Sequence, residues 1–420
     1  MNLIFLGAVL GLIPSIVFAQ NSTNSPYTRY GYGNLADKAF ISQRGMGGIG
    51  IGLRNSQMIN PMNPSSFSSV DSMTFMFDFG ITGQVSWLKE GAEKEQRLNG
   101  NLEYIALQFP VAKRFGVGAG FEPVSQVGYQ YADVQSLPID SGLRQDISTG
   151  AGGQSKVYAV LSYDLMNQFS VGVKLSYLFG DITHGILNTY SSNIYNTNWT
   201  DSIRSYGFLY DFGVQYHHEI GKFKMLTIGA IYSPKVRFGV RVKSDTIRSD
   251  PSSGLIMSDS TVINKNSVFE MPETYGLGFT YSRTGKFTVG ADALYQRWAD
   301  VKYNNQSNVF NNRLKFNIGG EFIPNRTNNN NLLSRIRYRG GLYYTDSYLK
   351  VKDSKYNEYG VNLGLGIPIL MPDKRQSFIN LALEYSRVQP EANLPLSEQY
   401  VKISLSYTFN ELWFRKLKVQ

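Results

Sequence analysis

From Ser72 onward, apolar and polar residues alternate with a period of two, in segments longer than soluble strands use. In "MTFMFDFGITGQVSW", Phe75, Phe77, Phe79, Ile81, Val85 and Trp87 share one face, while Thr74, Asp78, Thr82, Gln84 and Ser86 take the other. Such alternation puts successive side chains on opposite faces of an extended strand. "YVKISLSYTF" repeats it near the end of the chain, with Val401, Ile403, Leu405, Tyr407 and Phe409 opposed to Lys402, Ser404, Ser406 and Thr408. Twelve more segments lie between, near 97–109, 114–127, 153–165, 168–183, 205–219, 222–237, 268–283, 286–299, 312–324, 333–349, 357–370 and 376–388. The total is fourteen. Each is about 13–18 residues long, against about 5–6 for an ordinary strand and about 9–11 for one crossing a membrane at a tilt.

The connections alternate too. "PVAK", "LMNQ", "EIGK", "RTGK" and "PDKR" are short, whereas residues 128–152, 184–204, 238–267 and 300–311 form long ones. The exception is the Asn-rich "NRTNNNNLLS" on the short side. Short inner turns and long outer loops are the pattern of an outer-membrane barrel. Aromatics end the outward stripes (Trp87, Tyr163, Tyr177, Tyr232, Tyr281, Tyr295, Tyr344, Tyr385 and Phe409), as in membrane-interface girdles. A soluble β-sandwich gives no reason for them. A sheet in hydrocarbon must also close on itself. The expected fold is all-β: a closed antiparallel transmembrane β-barrel of about 14 strands over residues 72–410, its even strand count putting both chain termini on the periplasmic side.

The N-terminus reads as an export signal. An apolar run from Leu3 to Phe18 ends in Val17-Phe18-Ala19, which predicts cleavage after Ala19 and a signal peptide over 1–19. Residues 20–71 are rich in Gly, Ser, Asn and Pro and lack strand period, yet hold Met46, Ile49, Ile51, Leu53, Met58 and Ile59 for burial. They read as a compact segment packed inside something else. Residues 411–420 form a basic C-terminal extension. The chain has no cysteine, which excludes disulfides, thiolate metal sites and lipid attachment at Cys. The net charge of +9 includes no basic cluster of the nucleic-acid type, so no nucleic-acid partner is expected.

Several stretches share a family pattern. "RGMGGIGIGLRNSQMINPMNPSSF" pairs a Gly-rich run with an Asn-Pro element, present as Asn60-Pro61-Met62 and Asn63-Pro64-Ser65. "YSPKV", "MPETYGLGF", "VGADALYQRWADV" and "IRYRGGLYYTDS" fall at strand starts and ends. From about Arg44 to Phe409 the chain resembles the FadL-type outer-membrane transporters of long-chain fatty acids and other hydrophobic compounds. The resemblance implies fourteen strands, an N-terminal hatch plugging the barrel, and a kinked third strand that opens a hole in the wall. It implies a ligand that binds on the outer side, passes the hatch and leaves sideways. The chain departs in replacing the Ala of Asn-Pro-Ala and in its polar outer loops, such as "LNTYSSNIYNTNWTDS". Its "NSPYTRYGYGNL" opening and basic tail look like members from Bacteroidetes, where some FadL-like barrels are subunits of secretion or outer-membrane assembly machines.

Candidate sites follow. Pro123 lacks an N–H and interrupts the third strand, beside Glu122 and near Gly118 and Gly120. It marks either a gap at the implied lateral opening or a bulge near the rim. Asn60-Pro61 and Asn63-Pro64 are turns of the hatch segment, and family position adds that they face the opening. Arg335, Arg337 and Arg339 form an inward stripe, with Ile336, Tyr338, Leu342 and Tyr344 outward, and Arg313 and Lys315 join from the neighbouring strand. The stripe either holds a carboxylate head group or pins the hatch through a charge network. His184, His217 and His218 form no catalytic or metal constellation, and no nucleotide or dinucleotide motif appears, so neither an enzyme nor a cofactor or metal is expected.

Two functions follow. The first is an outer-membrane channel for passive uptake of hydrophobic small molecules, with a hydrophobic ligand and outer-membrane lipid or lipopolysaccharide as its partners. The second is a structural barrel within an outer-membrane protein assembly or secretion complex, with complex subunits as partners. An open porin is a third, weaker reading, opposed by the segment before the first strand.

Overall fold

The computed structural model describes residues 23–136, 143–191, 194–328, 331–351, 353–370, 376–391 and 396–412. The expected signal peptide over 1–19, most of the basic extension and the "PDKR" turn lie outside the described residues. A two-residue strand, β1 (Asn34–Leu35), precedes the wall. The wall comprises β2 (Thr74–Glu90), β3 (Glu93–Ala112), β4 (Phe115–Ser136), β5 (Leu143–Met166), β6 (Phe169–Tyr190), β7 (Asn196–Gly221), β8 (Lys224–Ser233) and β9 (Val236–Ser249). It continues through β10 (Ile256–Asn264), β11 (Phe269–Met271), β12 (Thr274–Arg283), β13 (Phe287–Gln296), β14 (Arg313–Phe322), β15 (Arg337–Asp346), β16 (Tyr356–Leu370), β17 (Gln376–Pro390) and β18 (Leu396–Leu412).

With each interrupted strand taken whole, neighbours in this order pair antiparallel, and β18 returns to β2 from Leu396↔Glu90 to Leu412↔Thr74, closing the barrel. Two wall strands are interrupted. Pro234-Lys235 splits β8 from β9, and short breaks split β10, β11 and β12. With each counted once, the barrel has fourteen strands. Burial is inverted relative to a soluble protein. On β2, Asp78, Thr82, Gln84 and Ser86 are buried while Phe79, Ile81 and Trp87 are exposed. That inversion suits a wall with lipid outside and a polar lumen.

The stretches expected as long outer loops are largely strand. β4–β5, β6–β7 and β9–β10 run on as hairpins above the apolar band. Beyond the lipid both faces are polar or mixed, so the period-two contrast fades, while the backbone still satisfies its N–H and C=O groups by pairing.

The N-terminal segment fills the lumen. Its first described residues lie at the outer end, where Ser25 Oγ donates to Glu398 Oε1 at 2.6 Å and Tyr27 OH to the Leu396 carbonyl at 2.6 Å. It descends through the helical turn α1 (Ile41–Arg44), whose four residues are all buried, to a 3-10 turn (Pro64–Ser69) at the opposite end of the barrel. The wall makes room for that turn: a Cβ on Gly116 would stand 1.9 Å from the Phe67 carbonyl oxygen.

Candidate functional site

The third wall strand is where pairing fails. β3 and β4 are in register up to Ile105↔Phe121 and not beyond. Glu122 and Pro123 follow at once, and the β4–β5 register shifts between Pro123 and Ser125. Proline offers no N–H to a ladder, and the added residue bends the strand. β4 then turns its outer half inward, burying Val127 and Tyr129. Its freed edge is taken by β1, with Asn34↔Gln126 and Leu35↔Ser125 paired and Ala36 N donating to the Val124 carbonyl at 3.0 Å. The wall thus parts between β3 and β4, and the N-terminal segment covers the β4 side of the gap.

Glu122 points into the lumen and binds Lys156 at 2.8 Å and Lys174 at 3.2 Å, all three buried. Lys174 also donates to the Pro61 carbonyl at 3.1 Å and lies 3.8 Å from Asp211. One chain of charges therefore joins the residue beside Pro123 to the Asn60-Pro61 turn. Asn60 itself donates to the Gly50 and Leu53 carbonyls. Asn63 donates to the Ile51 and Val214 carbonyls and caps the 3-10 turn by accepting from Ser65 N. The side chains of both asparagines hold the N-terminal segment in shape.

Arg335 stands apart from the expected stripe. It ends a second helical turn, α2 (Leu332–Arg335), and the strand starts only at Arg337. The turn is stabilised by Asn331, whose side chain accepts from Leu333 N at 2.9 Å. Ile336, expected to face lipid, is buried, while Tyr338, Leu342 and Tyr344 are exposed. Arg337 and Arg339 are buried around Glu321, at 3.6 and 2.8 Å, and Arg339 also donates to Asn380 at 2.7 Å. Lys315 binds Asp37 of the N-terminal segment at 3.0 Å, and Arg313 donates to Thr345 and Gln296. Each of these four cations therefore already has a protein partner. Elsewhere Arg44 pairs with Glu103, Arg54 with Asp164 at 3.0 Å, and Asp292 accepts from Gly50 N and Ile51 N at 2.6 and 2.9 Å. The N-terminal segment is thus fastened around the whole circumference.

A cavity of about 110 Å³ remains in the lumen, with Glu122, Pro123 and Val124 on one side and Asp211, Leu294 and Lys315 on the other. Lys38 enters it 3.9 Å from Asp211. Burial pushes the Lys38 ammonium down to about 8, with the Asp211 carboxylate opposing the shift.

Sequence reasoning missed the outer closure. Tyr32 is buried among Phe238, Phe269, Trp298, Tyr303 and Phe310, at ring-centroid distances from 5.1 to 6.4 Å. Hydroxyls lock the cluster to the backbone. Tyr32 donates to the Glu270 carbonyl at 2.9 Å, Tyr303 to Gly31 at 2.9 Å and Tyr348 to Gly33 at 2.6 Å. The available signal was aromatic residues in segments otherwise polar, Tyr303 and Phe310 in one loop and Tyr32 between two glycines.

Several solved structures share this fold. The *P. putida* toluene transporter TodX is 14% identical, with 92% of this chain and 100% of that chain covered and a TM-score of 0.61. A *Pseudomonas aeruginosa* FadL homologue is 13% identical, covering 90% and 99%, with a TM-score of 0.60. The CymD monoaromatic hydrocarbon channel is 15% identical, covering 92% and 100%, with a TM-score of 0.59. Identities this low establish the shared fold. No curated protein matches the sequence. A family model described as BamG matches residues 1–420.

Proposed function

The chain belongs to the BamG family, and from that premise we propose that it is a FadL-like barrel serving as a structural subunit of an outer-membrane protein assembly or secretion complex. The observation that carries this reading is the buried aromatic cluster around Tyr32 at the outer mouth. A ligand arriving from outside would have to break that cluster and its tyrosine hydrogen bonds. The cavity beneath supports the same reading. Its volume of about 110 Å³ is small beside the roughly 300–1,000 Å³ of ordinary ligand pockets. In this role residues 20–71 are a fixed hatch, the chain is exported by cleavage after Ala19, and its partners are other outer-membrane subunits. Gentle purification from the native membrane tests it. Stoichiometric outer-membrane partners are expected, and a monomer carrying a hydrophobic ligand in its lumen would refute it.

A second reading keeps one specific support. Pairing between β3 and β4 ends at Phe121, and Glu122 and Pro123 line the cavity. That favours passive uptake of a hydrophobic small molecule with lateral exit at Glu122-Pro123. A Pro123→Val variant should then slow uptake without unfolding the barrel, and unchanged uptake would count against the exit.

A further inference from the structure

On the outside of the barrel, a row of cations sits where the lipid-facing surface gives way to water. On β7 the outward residues Tyr206, Phe208, Tyr210 and Phe212 are exposed, as on a lipid-facing strand. The next outward residue toward the outer end is Arg204, directly opposite Arg241 on β9. Ser202 is opposite Lys243 in the same register. Cross-strand partners share a face, so Arg204, Arg241 and Lys243 point the same way. Phe238, Val240 and Val242 are buried on the other face of β9, which places Arg237 on the outward face too. All four cations are exposed.

Neutralisation along this belt is uneven. Arg297 binds Glu273 and Asp300 at 3.1 and 2.7 Å, and Lys235 binds Glu270 at 2.8 Å. Arg204 has Asp181 at 2.8 Å and Lys243 has Asp245 at 2.7 Å. Arg237 has Glu270 directly opposite, already bound to Lys235, and among the described residues Arg241 has no such carboxylate. Like charges directly opposite on a sheet repel; with Arg204 held by Asp181, Arg241 carries the charge left over for an external anion. Its height above the apolar band is that of lipid head groups, and guanidinium forks match phosphate oxygens.

We propose that Arg204, Arg237, Arg241 and Lys243 bind the phosphate of an outer-leaflet glycolipid, whose acyl chains lie along Tyr206, Phe208 and Tyr210. The site is independent of whether the barrel transports or serves as a subunit.

The test uses the full chain in detergent, titrated with diphosphorylated lipid A and followed by native mass spectrometry. A one-to-one adduct is expected, and the variant R237Q/R241Q/K243Q should weaken it about 100-fold, since surface cations each contribute roughly a factor of five. Dephosphorylated lipid A should bind the unaltered chain no better than the intact lipid binds the variant. Equal binding by the variant, or equal binding of the dephosphorylated lipid, would overturn the proposal. So would phosphatidylglycerol binding as tightly as lipid A, which indicates only attraction to an anionic surface. Complete displacement by millimolar inorganic phosphate would overturn it in favour of a free-phosphate site. Heat-modifiability on a gel checks the variant's fold, and the dephosphorylated arm needs no variant.

Discussion

Locking β1 to β4 distinguishes a fixed seal from a gate. Leu35 and Ser125 lie directly opposite each other. Because Ala36 N donates to the Val124 carbonyl, Ala36–Val124 is a hydrogen-bonded pair and Leu35–Ser125 is not, which sets their Cα atoms about 4.5 Å apart. That lies within the roughly 4.4–6.8 Å a disulfide spans. The chain has no cysteine of its own, so Leu35→Cys/Ser125→Cys forms only the intended bridge. Ser125 Oγ is buried without a hydrogen-bond partner, so its replacement breaks no bond. Closing a loop of about 90 residues stabilises by about 4–5 kcal/mol on the chain-entropy account. Losing the half-buried Leu35 side chain costs about 1 kcal/mol in both redox forms and cancels between them. Oxidised and reduced forms should therefore differ by about 4–5 kcal/mol in guanidinium unfolding of the detergent-solubilised barrel. The oxidised variant should also keep its partners and its activity in cells. If oxidation abolished function and reductant restored it, β1 would have to leave β4 during work, and the fixed-seal reasoning would fail.

Three further outcomes are expected. Glu122→Gln leaves Lys156 and Lys174 buried with one fewer counter-charge, and should lower stability by about 3 kcal/mol, the low end for a broken buried pair because a cavity adjoins it; unfolding within error of the parent would show the network to be slack. Arg339→Gln removes a buried partner of Glu321 and should cost a similar amount, about 3 kcal/mol, whereas Arg335→Gln, outside the strand and with Nε and Nη1 unpartnered, should lower stability in guanidinium unfolding by less than about 0.5 kcal/mol. Gly33→Ala should loosen the outer closure by at least about 1–3 kcal/mol, because Gly33 has φ +80° and a Cβ there would stand 2.4 Å from the Gln126 carbonyl oxygen; faster protease entry at the outer mouth is the readout, and unchanged protection would discount the closure.

The parts of the site differ in how far they could be read along the chain. The inward placement of Arg337 and Arg339 follows from local alternation with Tyr338, so the period-two pattern reveals it. Arg335 does not follow, because Asn331 caps a helical turn just before the strand. "NNLLS" holds that cap signal, but a strand pattern extended backwards overrides it. The outer hairpins escaped because pairing there serves the backbone alone, without a buried face to write itself into the side chains.

The features legible along the chain are therefore those imposed at each residue by the surrounding solvent or by a residue's own backbone. A wall between lipid and lumen demands alternation at each residue, and Pro123 cannot donate to a ladder wherever it sits. Which distant groups meet is set by the closed, filled barrel. Tyr32, Phe238, Trp298 and Phe310 converge because the barrel closes around a threaded segment. β1 occupies the edge that Pro123 frees. Lys174 reaches Pro61 across 113 positions of chain and ties it to Glu122. These are contacts between distant segments, and no short-range pattern encodes which buried charge or ring will find which partner once the lumen is filled.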